Sequence, residues 1–340
     1  MIEVSNVVKD YGTLRAVDHI SFTVQEGEIV GFLGPNGAGK STTLKMLTDY
    51  LTPTSGSINI NGKDMATDSL QIRQWIGYLP EHNPLYEDMT VYDYLRFVAD
   101  IRNLSDKVFN TRLPQVIEEC GIKEVINKKI GTLSKGYRQR VGLAQAILHD
   151  PMVIIMDEPT TGLDPNQILE IRDVIRRLGE KKTVILSSHI MQEVQAVCDR
   201  IIIINKGKII ADDRKEVLQS QLAGKTVLDL ELLARDPHFY DFRMLDPTLS
   251  IFHEGKVKED VWEVVLEYSN KTDLREKISR FITEKGWLVL SMQKQERSLE
   301  KIFHELTMES KTMAKAVDQT EYMPKSKPED TATGGEETNE

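Results

Sequence analysis

Three glycines, a lysine and two hydroxyls fall within nine residues near the N-terminus, in the order Gly34-Pro35-Asn36-Gly37-Ala38-Gly39-Lys40-Ser41-Thr42. Glycines let a backbone wrap closely round an anion, so that successive N–H groups point inward at phosphate oxygens. Lys40 adds a charge suited to β- and γ-phosphates, and Ser41 offers a hydroxyl to Mg²⁺. A second set of groups follows an apolar run at 153–156, where Asp157 and Glu158 stand side by side. Two neighbouring carboxylates suit a division of labour, with Asp157 holding Mg²⁺ through water and Glu158 polarising an attacking water. Side chains alternate along a strand, so both serve one site only where the chain turns at a strand end. His189 follows a third such run, Thr183-Val184-Ile185-Leu186-Ser187-Ser188, and its place favours a phosphate contact over a purely structural role.

The elements that must hold these groups are legible around them. An apolar, β-branched run at 29–33 reads as a buried strand, and 41–47 reads as a helix. A strand, a glycine-rich turn and a helix distinguish a phosphate-binding loop from an ordinary turn, and the helix adds its N-terminal partial charge. Residues 2–9 and 20–24 are strands, and Tyr11 sits on the turn after the first. That ring either caps a hairpin or stacks on adenine. Residues 57–62 predict an edge strand and turn, and 76–80 a strand leading into the polar loop Glu81-His82-Asn83-Pro84. From 91 to about 149 apolar residues recur at helical spacing, which predicts a helical insert. Strands at 152–156 and 183–186, helices at 165–178 and 191–197, and a hairpin over 200–210 complete the pattern. Strands alternating with helices imply an α/β domain with a mostly parallel sheet, whose ligands gather at the carboxyl ends of the strands.

Composition narrows the classes. The 340 residues carry a net charge of −10, which argues against direct nucleic-acid binding. No apolar run approaches the roughly 18 to 20 residues needed to span a bilayer. The N-terminus lacks the basic and apolar segments of a secretion signal. Cys120 and Cys198 have no metal-ligand or CxxC spacing and fit packing roles in a reducing cytosol.

Leu133-Ser134-Lys135-Gly136-Tyr137 opens a further helix, either as an N-cap serine before a basic face or as a second anion site at a helix N-terminus. Taken together, the 34–42 loop, this segment, Met156-Asp157-Glu158-Pro159-Thr160-Thr161-Gly162-Leu163-Asp164-Pro165 and Ser188-His189 stand in the order of an ATP-binding cassette nucleotide-binding domain. The chain resembles that family over roughly residues 1–220. The resemblance implies a P-loop cassette with a mixed, mostly parallel sheet, antiparallel edge strands and a helical subdomain at about 90–149. It also implies two cassettes, in a homodimer or heterodimer, sandwiching ATP and Mg²⁺ head to tail, each phosphate loop facing Ser134 and Gly136 of the other copy. By the same resemblance Tyr11 stacks on adenine, Asp164 belongs to an inter-subunit loop and His189 senses the γ-phosphate. Lys135 and Tyr137 replace the family's usual glycine and glutamine in the signature, which a backbone-mediated phosphate contact tolerates. Glu81 replaces the usual glutamine that reaches metal and water; a carboxylate can still bind Mg²⁺. These variants are similar to those of export-type cassette ATPases, and the run IGYLPEHNPLY at 76–86 most resembles the subunit associated with gliding motility.

Beyond about residue 224 the motifs stop. Strands at 226–232, 249–253, 261–268 and 287–292 and a helix at 272–285 predict a small α+β accessory domain spanning 224–309, either a packing module or a sensor. An amphipathic helix is expected from Ser298, similar to the C-terminal end of export-type cassettes, and an acidic disordered tail over 310–340. The expected function is an ATPase subunit that drives a separate transmembrane permease, an exporter, from the cytoplasmic face of the membrane. The alternatives are a soluble cassette ATPase acting on ribosome or DNA, disfavoured by a single cassette without sustained heptads, and an importer ATPase, which glutamine at 81 would suit better.

Overall fold

The computed structural model describes residues 1–222, 225–235, 237–269 and 272–295. From the N-terminus, β1 (Ile2–Tyr11) and β2 (Leu14–Val24) form a hairpin, and β3 (Ile29–Leu33) runs into the glycine-rich loop and α1 (Lys40–Leu47). Next come β4 (Ser55–Ile60), the two-residue β5 (Lys63–Asp64), α2 (Met65–Trp75) and β6 (Ile76–Leu79). The helical stretch is α3 (Val91–Ile101), α4 (Asp106–Cys120) and α5 (Lys135–Ile147). The chain then alternates β7 (Val153–Met156), α6 (Pro165–Gly179), β8 (Thr183–Ser188), α7 (Met191–Val197), β9 (Arg200–Asn205), β10 (Lys208–Arg214) and α8 (Lys215–Leu222). The last described elements are β11 (Lys225–Leu233), a 3₁₀ turn at Phe239–Met244, β12 (Ser250–Lys258), β13 (Val261–Ser269), α9 (Arg275–Glu284) and β14 (Leu288–Gln295).

A six-stranded sheet in the order β10-β9-β3-β8-β7-β6 holds the motifs. Five of its strands are parallel, and β10 pairs antiparallel with β9 at one edge. The apolar runs are unbroken because both faces are covered. Ile29, Leu33, Ile154 and Met156 face one apolar cluster, shared with α3 to α7, while Val30, Phe32, Val153 and Ile155 face the other. The second cluster is closed by α1, α2 and an antiparallel sheet in the order β2-β1-β4-β5. Packing is close enough that a Cβ on Gly31 would lie 2.3 Å from Val194 Cγ1 and 2.8 Å from Cys198 Sγ, so α7 presses onto β3 at a site only glycine permits. Both cysteines are buried, and burial pushes their thiols well above the usual range, in keeping with packing roles.

Three differences from the sequence reading have local causes. Helix α2 is not signalled by periodicity, since only Met65 and Ile72 of its eleven residues are buried; its marker is the cap, Asp64 accepting from the Ala66 N–H at 2.8 Å. Strand β2 begins at Leu14 rather than near 20, through a first half that buries only Val17 and so lacks an apolar alternation. Residue 220, the expected end of the first unit, falls inside α8, whose Leu218 is buried in the first apolar cluster.

Residues from β11 onward have their own apolar cluster, centred on Leu228, Leu230, Val264, Leu266, Tyr268 and Ile278. Their four strands are all antiparallel in the order β12-β13-β11-β14. With the 3₁₀ turn and α9 as the two connections, this is a split β-α-β arrangement of ferredoxin type. The helix expected from Ser298 and the tail over 310–340 lie outside the described residues.

We propose that the chain divides after α8. A fragment of residues 1–222 then unfolds cooperatively in circular dichroism, while a fragment ending at 214, which lacks the Leu218 contact, melts lower by roughly 5 °C. An insoluble 1–222 fragment would contradict the division.

Candidate active site

The loop between β3 and α1 is shaped by left-handed turns at Gly37 and Gly39, with φ of 77° and 108°. At Gly39 a Cβ would also lie 2.6 Å from the Ala16 carbonyl oxygen, so the β2 backbone closes on the loop. Gly39 caps α1 without a side-chain hydrogen bond, which leaves the helix's first N–H groups for an anion. The Lys40 ammonium is buried at 5% exposure; it donates to the carbonyls of Gly34 at 2.8 Å and Pro35 at 3.3 Å and pairs with Glu158 Oε1 at 3.3 Å.

Beyond Met156 the chain turns sharply. Glu158 has a φ of 48°, left-handed for a non-glycine residue, and this breaks the strand alternation that would part the two carboxylates. Asp157 Oδ1 accepts from Ser41 Oγ at 3.1 Å and from Ser187 Oγ at 2.6 Å. The same Ser187 hydroxyl accepts the Glu158 N–H at 2.9 Å, so the end of β8 fixes both acidic residues. Glu158 Oε2 meets His189 Nδ1 at 2.9 Å and accepts from Thr161 Oγ1 at 3.4 Å. The Glu158 carboxylate thus bridges the Lys40 ammonium and the His189 ring. Ser187 and Thr161 were not singled out from sequence; their signal was hydroxyls beside a strand-end carboxylate pair.

These groups open onto a cleft of about 490 Å³. Its walls include Tyr11, Asn36, Gly37, Ala38, Gly39, Lys40, Ser41, Thr42, Glu81, Glu158 and His189. Leu14 and Ala16, on the unexpected first half of β2, also line it. Tyr11 ends β1 with its ring 46% exposed and the Lys9 ammonium 5.5 Å from its centroid. Gly34 and Pro35 are not on the cleft wall; they back Lys40 through their carbonyls. Glu81 is exposed beside the loop.

Ser134, Gly136 and Asp164 lie apart from this cleft. Ser134 caps α5, accepting the Tyr137 N–H at 3.4 Å, and Asp164 caps α6, accepting the Gln167 N–H at 2.9 Å. Gly136 is buried against the Gln167 side chain, so the two caps adjoin. One chain therefore brings together the phosphate loop, Asp157, Glu158, Glu81 and His189, and carries the Ser134 segment elsewhere on its surface.

Among the described residues no group of three or more His, Cys, Asp or Glu side chains forms a metal cage. Ser41 and Asp157 instead offer a hydroxyl and a carboxylate oxygen within 3.1 Å of each other. That hard, sparse donor set suits Mg²⁺, which binds through one or two protein oxygens and completes its shell with phosphate and water. No helix among the described residues is long and apolar enough to cross a membrane.

Comparison with known proteins agrees with this geometry. Residues 17–161 match the ABC transporter family. The chain is 35% identical over 310 residues to the linearmycin resistance ATP-binding protein LnrL of Bacillus subtilis (strain 168), across 90% of this chain and 98% of that protein. It is 32% identical over 316 residues to the bacitracin transport ATP-binding protein BcrA of Bacillus licheniformis, across 90% and 97%. It superposes with a TM-score of 0.57 on the dimeric structure of a post-hydrolysis state of the ATP-binding cassette MJ0796 bound to ADP and Pi, at 26% identity, covering 63% of this chain and 98% of that one. By sequence, fold and site, the chain belongs to the ABC transporter family, as an ATP-hydrolysing, ATP-binding subunit.

Proposed function

We propose that the chain pairs with a second copy of itself around two ATP molecules and drives a separate permease that exports its substrate across the membrane, the cassette lying on the cytoplasmic face. The observation that carries the chemistry is the convergence of Lys40, Ser41, Glu158 and His189 on one cleft, with Asp157 buried directly behind Ser41. The loop N–H groups and Lys40 hold the phosphates, and Tyr11 supplies a flat face for adenine. Ser41 and Asp157 are the residues that would hold Mg²⁺, which neutralises developing phosphate charge when bound. Glu158 takes the proton from the attacking water as that oxygen bonds to the γ-phosphorus and the bond to the leaving ADP breaks. His189, on the other Glu158 oxygen, holds the carboxylate in place and lies beside the incoming γ-phosphate.

Pairing explains why Ser134, Gly136 and Asp164 stand away from the cleft of their own chain. One sequence carries both the phosphate loop and the Ser134–Gly136 segment, so on this reading a second copy suffices to complete the site. Export is supported by relatives named for linearmycin resistance and bacitracin transport that the chain matches nearly end to end. A role in gliding motility is a second reading, carried by the 76–86 run alone. For the permease contact, a cleft of about 890 Å³ separates α1 and α2 from the ends of α3 and α5, and Tyr50, Leu70 and Ile101 are exposed along it.

If Glu158 activates water, Glu158→Gln binds ATP normally while turnover falls at least about a hundredfold. The ATP-bound dimer accumulates and is seen by size exclusion. Near-normal hydrolysis would refute the assignment. For Glu81, substitution by Gln keeps turnover within about tenfold, near 1.4 kcal/mol in barrier, and shifts the Mg²⁺ dependence because one metal-seeking carboxylate is gone. A Mg²⁺ titration that superimposes on the parent's makes Glu81 a solvated loop charge.

A further inference from the structure

Glu193 is a buried carboxylate that the scheme above leaves unused. It sits in the first turn of α7 at 6% exposure. One of its oxygens, Oε2, accepts from Thr160 Oγ1 and, at 3.0 Å, from Ser188 Oγ. Thr160 is two residues past Glu158, and Ser188 directly precedes His189; both are buried. The Ser188 hydroxyl in turn accepts the Ile190 N–H at 3.0 Å, so its proton is directed at Glu193.

The topology makes this a second latch. Alternation along β8 sends Ser187 and Ser188 to opposite faces. Ser187 grips the Asp157–Glu158 turn from one side through the Glu158 N–H and Asp157 Oδ1. Ser188, through Glu193 and Thr160, grips the same loop from the α7 side. Without the second latch, β8 holds the loop through Ser187 alone, at Asp157 and Glu158, and nothing from β8 reaches the residues beyond the left-handed turn. A carboxylate met by neutral hydroxyls rather than a cation is costly to bury. An acid at the first turn of a helix gains something from the helix dipole, but that role needs neither Thr160 nor burial.

We propose that Glu193 is a positioning residue for hydrolysis: by holding Thr160 and Ser188 on one oxygen, it fixes the loop of Glu158 and the loop of His189 relative to each other. The inference rests on Glu158 activating water and His189 lying beside the γ-phosphate, and it adds the group that sets their separation. Misplacement of reacting groups by about 1 Å costs up to a hundredfold in rate, so the effect should fall on kcat.

The test uses the full chain and steady-state ATP hydrolysis, with thermal unfolding recorded for every variant. Glu193→Ala should lower kcat about ten- to a hundredfold with KM for ATP within about twofold. Glu193→Gln keeps an acceptor oxygen for both hydroxyls and should restore kcat to within about threefold. Thr160→Val, similar in shape, should lower kcat as well, yet cost little more in the Glu193→Ala background, because the bond is already gone. If Glu193→Ala does not fold, the kcat of Thr160→Val and Ser188→Ala decides the matter. A lower melting temperature with unchanged kcat would reduce Glu193 to a helix cap and overturn the proposal, as would fully additive losses. Loss of turnover in Glu158→Gln with full activity in Glu193→Ala would sink this inference alone, whereas an active Glu158→Gln removes the reading beneath it.

Discussion

A lysine and a glutamate buried side by side are expensive, and the Lys40–Glu158 pair is the constraint around which the carboxyl end of the sheet is arranged. Each ion leaves water at a penalty of several kcal/mol, which one contact at 3.3 Å repays only when the remaining donors and acceptors are also met. They are met by the chain itself. The carbonyls of Gly34 and Pro35 take the ammonium, while His189 and the Thr161 hydroxyl meet the carboxylate. These groups come from three segments, and parallel strands β3, β7 and β8 bring the three to the carboxyl end of the sheet. The left-handed Glu158 backbone follows from the same demand, since an extended residue there would carry the carboxylate to the opposite face.

Much of this was legible in the residues. The phosphate loop announced itself because glycine spacing, lysine and hydroxyl coincide with an apolar strand before and a helix after. The carboxylate pair could be assigned to a strand end, since nothing else lets neighbours share a site, and the positive φ of Glu158 is the physical form of that turn. Strand runs at 29–33 and 153–156 stood out because both faces are buried. What stayed hidden was carried by weak local signals. Helix α2 buries two residues, the first half of β2 buries only Val17, and Ser187 and Glu193 matter through contacts between residues up to 33 positions apart, to which no local pattern responds. Tyr11, left between a hairpin role and a stacking role by its sequence, ends β1 and also lines the cleft.

The arrangement also explains why a single chain looks incomplete. Ser134 and Gly136 form a helix N-terminus whose neighbour is the cap of α6, on a surface that the phosphate cleft does not reach. Such an end attracts anions through its unsatisfied N–H groups. The proposed pairing with a second copy accounts for this separation, because each copy would supply what the other lacks.

The most direct measurement of that claim mixes two inactive variants of the full chain. Lys40→Ala removes the phosphate charge from one half-site, and Ser134→Arg blocks the other. If ATP is held between copies, each variant alone is inactive, and the mixture regains hydrolysis because a mixed pair contains one site with both halves intact. A mixture no more active than the sum of its parts would contradict the account.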